Sequence, residues 1–181
     1  MNRRTVVLAL AVALLAGVAG MLTARFVNDP ARQLQPAVRA PADFTLPDPD
    51  GQPRRLSEWR GRHVLINFWA TWCPPCRHEL PLLAASQRRY GTGRLQVLGI
   101  SLDDPKVLGN FLKQSPLGFP TLVGGNEAFG LMAGYGHPRG SIPFSILLDP
   151  AGKVLARKAG ALSETELNSL LQTHLAPAQT P

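Results

Sequence analysis

The chain has 181 residues with 45% apolar side chains, enough for one domain with its own core and a short appendage. Its 17 glycines and 17 prolines fall short of a collagen-like or low-complexity composition and exclude global disorder. The net charge of +7 divides into +4 on residues 1–40, from five arginines against Asp29, and +3 scattered over the rest; that mild excess gives no reason to expect a nucleic-acid partner.

Arg3 and Arg4 precede residues 5–24, which run for 20 positions without a charged side chain. As a helix this stretch spans about 30 Å, the thickness of a bilayer's hydrocarbon core. No helix with a wet face would read VVLALAVALLAGVAGML. Residues 1–27 are therefore expected to be a signal-anchor or a signal peptide. The full length and the closing Arg25 favour an anchor, while Gly17 and Ala19 would suit a cleavage site. In both cases the two arginines stay cytoplasmic and the remainder is exported. Residues 28–41, with three prolines and no period, read as a linker. A folded domain is expected over 42–176 and a frayed tail over 177–181.

Within the domain, residues 43–46 and 54–56 read as short strands joined by the Asp50-Gly51 turn. Residues 63–69, HVLINFW, suit a strand covered on both faces. A helix follows over 73–90, with two prolines tolerated at its start and a kink expected at Pro81. Residues 94–101 form another buried strand, 105–114 a helix and 127–135 a further helix. Residues 143–149 and 153–159 flank the Pro150-Ala151-Gly152 turn as an antiparallel hairpin. The last helix opens at a capping box made by Ser163 and Glu166 and runs to about His174. Strands separated by helices, then a hairpin and a closing helix, give an α/β fold with a mixed sheet.

The chain has two cysteines, Cys73 and Cys76, in WATWCPPCRHE. As a staple the pair is badly placed, because closing so short a ring yields only about 2 kcal/mol. Between a buried strand and a helix start it makes chemical sense. With Cys73 at the N-cap, unpaired N–H groups and the positive end of the helix dipole favour thiolate over thiol. Cys76 lies a turn away and can close a disulfide. That supplies a nucleophile and a resolving thiol for disulfide exchange. Zinc needs about four ligands where one pair supplies two, and His63, His78, His137 and His174 lack finger spacing. Covalent haem requires CxxCH, but Arg77 stands where the histidine belongs. A non-catalytic tethered binding or metal-delivery module is the competing reading from another class.

FWATWCPPCRHELP resembles the active-site segment of the thioredoxin superfamily, specifically its membrane-tethered TlpA/ResA/DsbE-like thiol–disulfide oxidoreductases. The likeness runs from about Phe44 to Leu175. A second match, Ser141-Ile142-Pro143 before FSILLD, implies a cis proline facing the cysteines, with the Ile142 backbone pairing with substrate. The resemblance implies a thioredoxin-like mixed sheet with an N-terminal hairpin and a central αβ insertion between Ser101 and Gly140. It implies catalytic Cys73 and Cys76, substrate contacts from Trp72, Pro74, Ile142 and Pro143, and no dissociable cofactor or metal. Thioredoxins proper carry a buried Asp where Asn67 stands. In the ResA-like branch Glu79 matches a residue that manages the proton of the resolving cysteine; the plainer reading makes it an ordinary surface carboxylate in the first turn, favoured by the helix dipole or paired with Arg77. Trp69 is expected in the core and Trp72 at the site rim. Peroxidases of the superfamily place Thr three residues before the reactive cysteine, whereas Thr71 is two before Cys73. Copper-chaperone relatives use CxxxC. The implied activity is reduction of client disulfides in cytochrome c maturation or copper-site assembly, with a DsbD/CcdA-like membrane electron donor. The implied location is the bacterial inner membrane facing the periplasm, or the periplasm itself if the leader is cleaved.

Overall fold

Besides Asn2, the computed structural model describes residues 43–175, all within the unit Ala37–Pro181. The expected anchor, linker and tail lie outside the described residues. Among those described, no helix is long and apolar enough to cross a membrane.

A small antiparallel hairpin, β1 (Thr45–Pro47) with β2 (Pro53–Arg55), leads into a 3-10 turn at Leu56–Trp59. Then come β3 (His63–Trp69), α1 (Pro74–Arg94), β4 (Leu95–Ser101), α2 (Pro105–Gln114), β5 (Thr121–Val123), α3 (Glu127–Gly134), β6 (Phe144–Leu148), β7 (Val154–Ala159) and α4 (Glu164–Leu175). The five-stranded sheet runs β5-β4-β3-β6-β7, with β3, β4 and β5 parallel and β6 and β7 antiparallel to their neighbours. The mixed sheet, the N-terminal hairpin and the central α2–β5–α3 segment match the architecture that the resemblance implied.

The side-chain period of two on each strand builds two cores. Val64, Ile66 and Phe68 of β3 join Ile100, Phe144 and Ile146 on one face, covered by the hairpin, the 3-10 turn and α3. Leu65 and Trp69 join Val97 and Leu147 on the other, covered by α1, α2 and α4. Asn67 has the parity of Leu65 and Trp69, so it points into the second core.

Helix α1 keeps helical dihedrals at Pro81 and breaks at Gly91, whose φ of 65° lies in the left-handed region, so its first segment ends at 90 as expected and a short turn continues to Arg94. Strand β5, three residues between Gly118 and the Gly124-Gly125 turn, is too short for a period to show in sequence, although the resemblance implied a strand within the central insertion.

Candidate functional site

Strand β3 ends at Trp69, and residues 70–72 turn the chain into α1. Cys73 is the N-cap, in extended geometry (φ −97°, ψ 102°), with Pro74 and Pro75 opening the helix. Its N–H donates to Ala70 O at 3.2 Å, and its carbonyl accepts from Arg77 N at 3.1 Å. Its Sγ accepts from the Cys76 N–H at 3.3 Å. An N-cap side chain ordinarily draws on the amides of N2 and N3. Pro75 removes the first, so the Cys76 N–H acts alone. The two sulfurs are joined in a disulfide with Cα atoms 5.3 Å apart. Both cysteines are buried, while Trp72 beside them is 67% exposed and Pro74 is exposed; Trp69 is fully buried in the core.

The loop before β6 comes from the far side of the sheet. The Ile142–Pro143 bond is cis. Pro143 is buried and its carbonyl accepts from Gly160 N, but Ile142 is half-exposed and neither its N–H nor its C=O is hydrogen-bonded among the described residues. His137 holds this loop: its Nε2 lies 3.0 Å from both the carbonyl and the hydroxyl of Ser141. Its ring stacks on Phe144 at 4.5 Å. As a solitary histidine in sequence it reads as an ordinary surface residue, and nothing there signals this role.

Glu79, one turn after Cys76, is 2% exposed. The surface-carboxylate reading is overturned: Arg77 is exposed and lies over the Phe111 ring instead. Asn67 Nδ2 donates to Ser145 Oγ at 2.9 Å and to Glu79 Oε1 at 3.4 Å. The Ser145 hydroxyl also donates to Oε1 at 3.4 Å, and Oε2 has no hydrogen-bond partner among the described residues. Burial pushes the Glu79 carboxyl up to about 7, opposed by the Leu162 backbone, Ser145 and the charge of Lys158. Ser145 pairs in register with Asn67 on one side and Lys158 on the other. Ser145 is a site residue that the sequence did not single out; strand alternation from Pro143 would have placed it on this face.

Thr71 is fixed by Asp103, whose carboxylate accepts from the Thr71 amide and hydroxyl, each at 2.8 Å, and from Ser101 Oγ at 2.7 Å. This clamp ties the entry to α1 to the end of β4. Among the described residues no cluster of three or more His, Cys, Asp or Glu side chains could hold a metal ion. The arrangement offers a disulfide at a helix N-terminus, an open backbone beside a cis proline and a buried carboxyl poised near neutrality.

Comparison with known proteins agrees with this geometry. The AhpC/TSA family model matches residues 37–173. The thiol–disulfide oxidoreductase ResA of Geobacillus thermodenitrificans is 30% identical over 132 residues, covering 72% of this chain and 74% of that protein. The Bacillus subtilis ResA is 26% identical over 139 residues, 76% and 75% of the two chains. A crystal structure of a Chlorobium tepidum protein assigned as the thiol:disulfide interchange protein DsbE superposes with a TM-score of 0.69 at 31% identity, covering 79% of this chain and 99% of that one. The chain belongs to the AhpC/TSA family, among the ResA- and DsbE-like thiol–disulfide oxidoreductases of the thioredoxin superfamily.

Proposed function

We propose that the protein is an exported reductant of client disulfides, working through Cys73 and Cys76. In the reduced protein the Cys73 thiolate attacks a client disulfide, forming a mixed disulfide and releasing one client thiolate. The Cys76 thiolate then attacks Cys73 Sγ, closing the Cys73–Cys76 disulfide and releasing the client's second thiolate. Two electrons pass to the client, and a dithiol donor returns the enzyme to its reduced form. Glu79, buried behind Cys76 with a carboxyl near neutrality, takes up and returns the proton of the resolving thiol. Trp72 and Pro74 form the rim, and the free backbone of Ile142 beside Pro143 holds the client segment as an added strand. The cysteines carry the electrons, so no dissociable cofactor is required.

The observation that carries this reading is the single amide at Cys73 Sγ. A strong oxidant such as DsbA owes its potential of about −120 mV to a stabilised reduced form. With Pro75 in place of a donor, the Cys73 thiolate receives less such stabilisation, which favours the disulfide and makes the dithiol a reductant. The peroxidase alternative is disfavoured because Thr71 is not only offset by one position but spends its hydroxyl on Asp103. Residues 5–24 support an inner-membrane anchor with the domain in the periplasm. The clients in view are apocytochrome c thiols or copper-site cysteines, recharged by a DsbD/CcdA-like membrane protein.

Equilibration with glutathione tests the direction. The expected potential lies well below that of DsbA, near the value of about −270 mV of thioredoxin; a value near −120 mV overturns the reductant reading. Insulin reduction that disappears in Cys73→Ser supports catalysis over a non-catalytic module, and Cys76→Ser should accumulate the mixed disulfide with the client.

A further inference from the structure

Beyond the disulfide, the outer side of α1 bounds a groove of about 530 Å3 that the exchange chemistry does not use. Leu80, Pro81 and Ala84 form one wall, and Phe111 of α2 with Leu117 of the following loop form the other. Arg77 and Arg88 stand at its lining and are exposed. Neither makes an ion pair among the described residues; Arg77 lies over the Phe111 ring, 6.0 Å from its centre. Helix α1 carries Arg77 and Arg88 on this groove, and its one acid, Glu79, is buried; α2 contributes no acid between its Asp104 cap and Gln114. A cleft with apolar walls, no acid in its lining and two guanidinium groups without ion pairs among the described residues complements an apolar side chain flanked by carboxylates.

The spacing sets the length of that ligand. Arg77 and Arg88 are eleven residues apart on α1, about 16 Å along a helix axis, which roughly five residues of extended chain cover. Arg77 directly follows Cys76, so a segment in the groove brings its flanking chain to the redox pair. We infer that the groove docks an extended acidic–apolar segment of the exchange partner, with an apolar side chain against Phe111 and Leu117 and carboxylates on Arg77 and Arg88. The partner's role rests on the exchange reading above; the ligand chemistry rests on the groove itself.

Fluorescence anisotropy on the full-length oxidised protein at low salt tests this with three labelled peptides, Glu-Leu-Phe-Leu-Glu, Lys-Leu-Phe-Leu-Lys and Glu-Ser-Gly-Ser-Glu. The first should bind at least about tenfold more tightly than the other two. Arg88→Glu should reverse the preference between the first two, and Phe111→Ala should weaken the first. Circular dichroism of Arg88→Glu should match the parent, since Arg88 is exposed. Equal binding of all three peptides overturns the proposal, as does unchanged peptide selectivity in Arg88→Glu. Binding to phosphatidylglycerol vesicles that depends on Arg88, without peptide binding, would assign the groove to a membrane surface and overturn it too. The binding arms need no turnover, so a protein that selects the acidic peptide yet fails to reduce insulin refutes the exchange reading and leaves the groove's ligand class standing.

Discussion

Glu79 shows how a single side chain changes meaning once its neighbours are known. In sequence it is a first-turn carboxylate with Arg77 two positions away. In space it faces Asn67 and Ser145, which are 78 residues apart in the chain and opposite each other in the sheet. That juxtaposition could not be read from spacing, because it depends on which strand lies beside β3. Its consequence is measurable. A carboxyl raised by burial to about 7 stays protonated in the folded oxidised protein while the unfolded chain has released its proton. Stability should therefore fall as pH rises from about 4.5 to about 7 and level off above, by up to about 3 kcal/mol. Glu79→Gln should remove that slope, so urea denaturation at pH 8 should show the variant gaining over the parent while at pH 4.5 the two converge. Asn67→Asp should place a second carboxyl against the first, making the pair share a proton and moving the last deprotonation above 7; carboxylate infrared bands followed across pH would report it.

At the scale of elements, the Trp-Cys-Pro-Pro-Cys junction was legible because a buried strand and a proline-opened helix leave few ways to place the cysteines. The same local logic fixed α4: Ser163 N donates to Glu166 Oε2 at 2.9 Å and Glu166 N to Ser163 Oγ at 3.3 Å, closing the expected capping box. Ser163→Ala should cost about 1 kcal/mol in chemical denaturation. Helix α1 keeps helical dihedrals at Pro81 and breaks at Gly91, a glycine at positive φ that ends its first segment where the sequence placed it. The prolines at its start discriminate between two accounts of its chemistry. Pro75 occupies the N2 position whose amide would reach Cys73 Sγ, whereas Pro74 at N1 would not. Pro75→Ala should restore a donor to the thiolate and raise the potential by about 30–60 mV, the equivalent of one charge-assisted hydrogen bond. Pro74→Ala should move it far less. Equal shifts in the two variants would mean that the hydrogen bond is not what sets the potential.

Across the whole molecule, the sheet order is what assembles the site. The helix that carries the cysteines leaves β3, the strand at the centre of the sheet. The cis proline enters on β6 at its side, and Asp103 reaches back from the end of β4 to Thr71. None of these neighbours is close in sequence, which is why the cysteines and Pro143 could be named from motifs while His137, Ser145 and Asp103 could not. Charge is arranged on the same scale: the hairpin's Asp43, Asp48 and Glu58 pair with Arg54 and Arg55, while Arg77, next to Cys76, makes no ion pair among the described residues. The central claim, that a helix N-terminus activates Cys73 for attack, is tested most directly by the pH dependence of iodoacetamide alkylation in Cys76→Ser. The account predicts a midpoint between about 3.5, as in DsbA, and the value of about 8.5 of a free thiol, close to the value of about 7 of thioredoxin. A midpoint at or above that of a free thiol would contradict it.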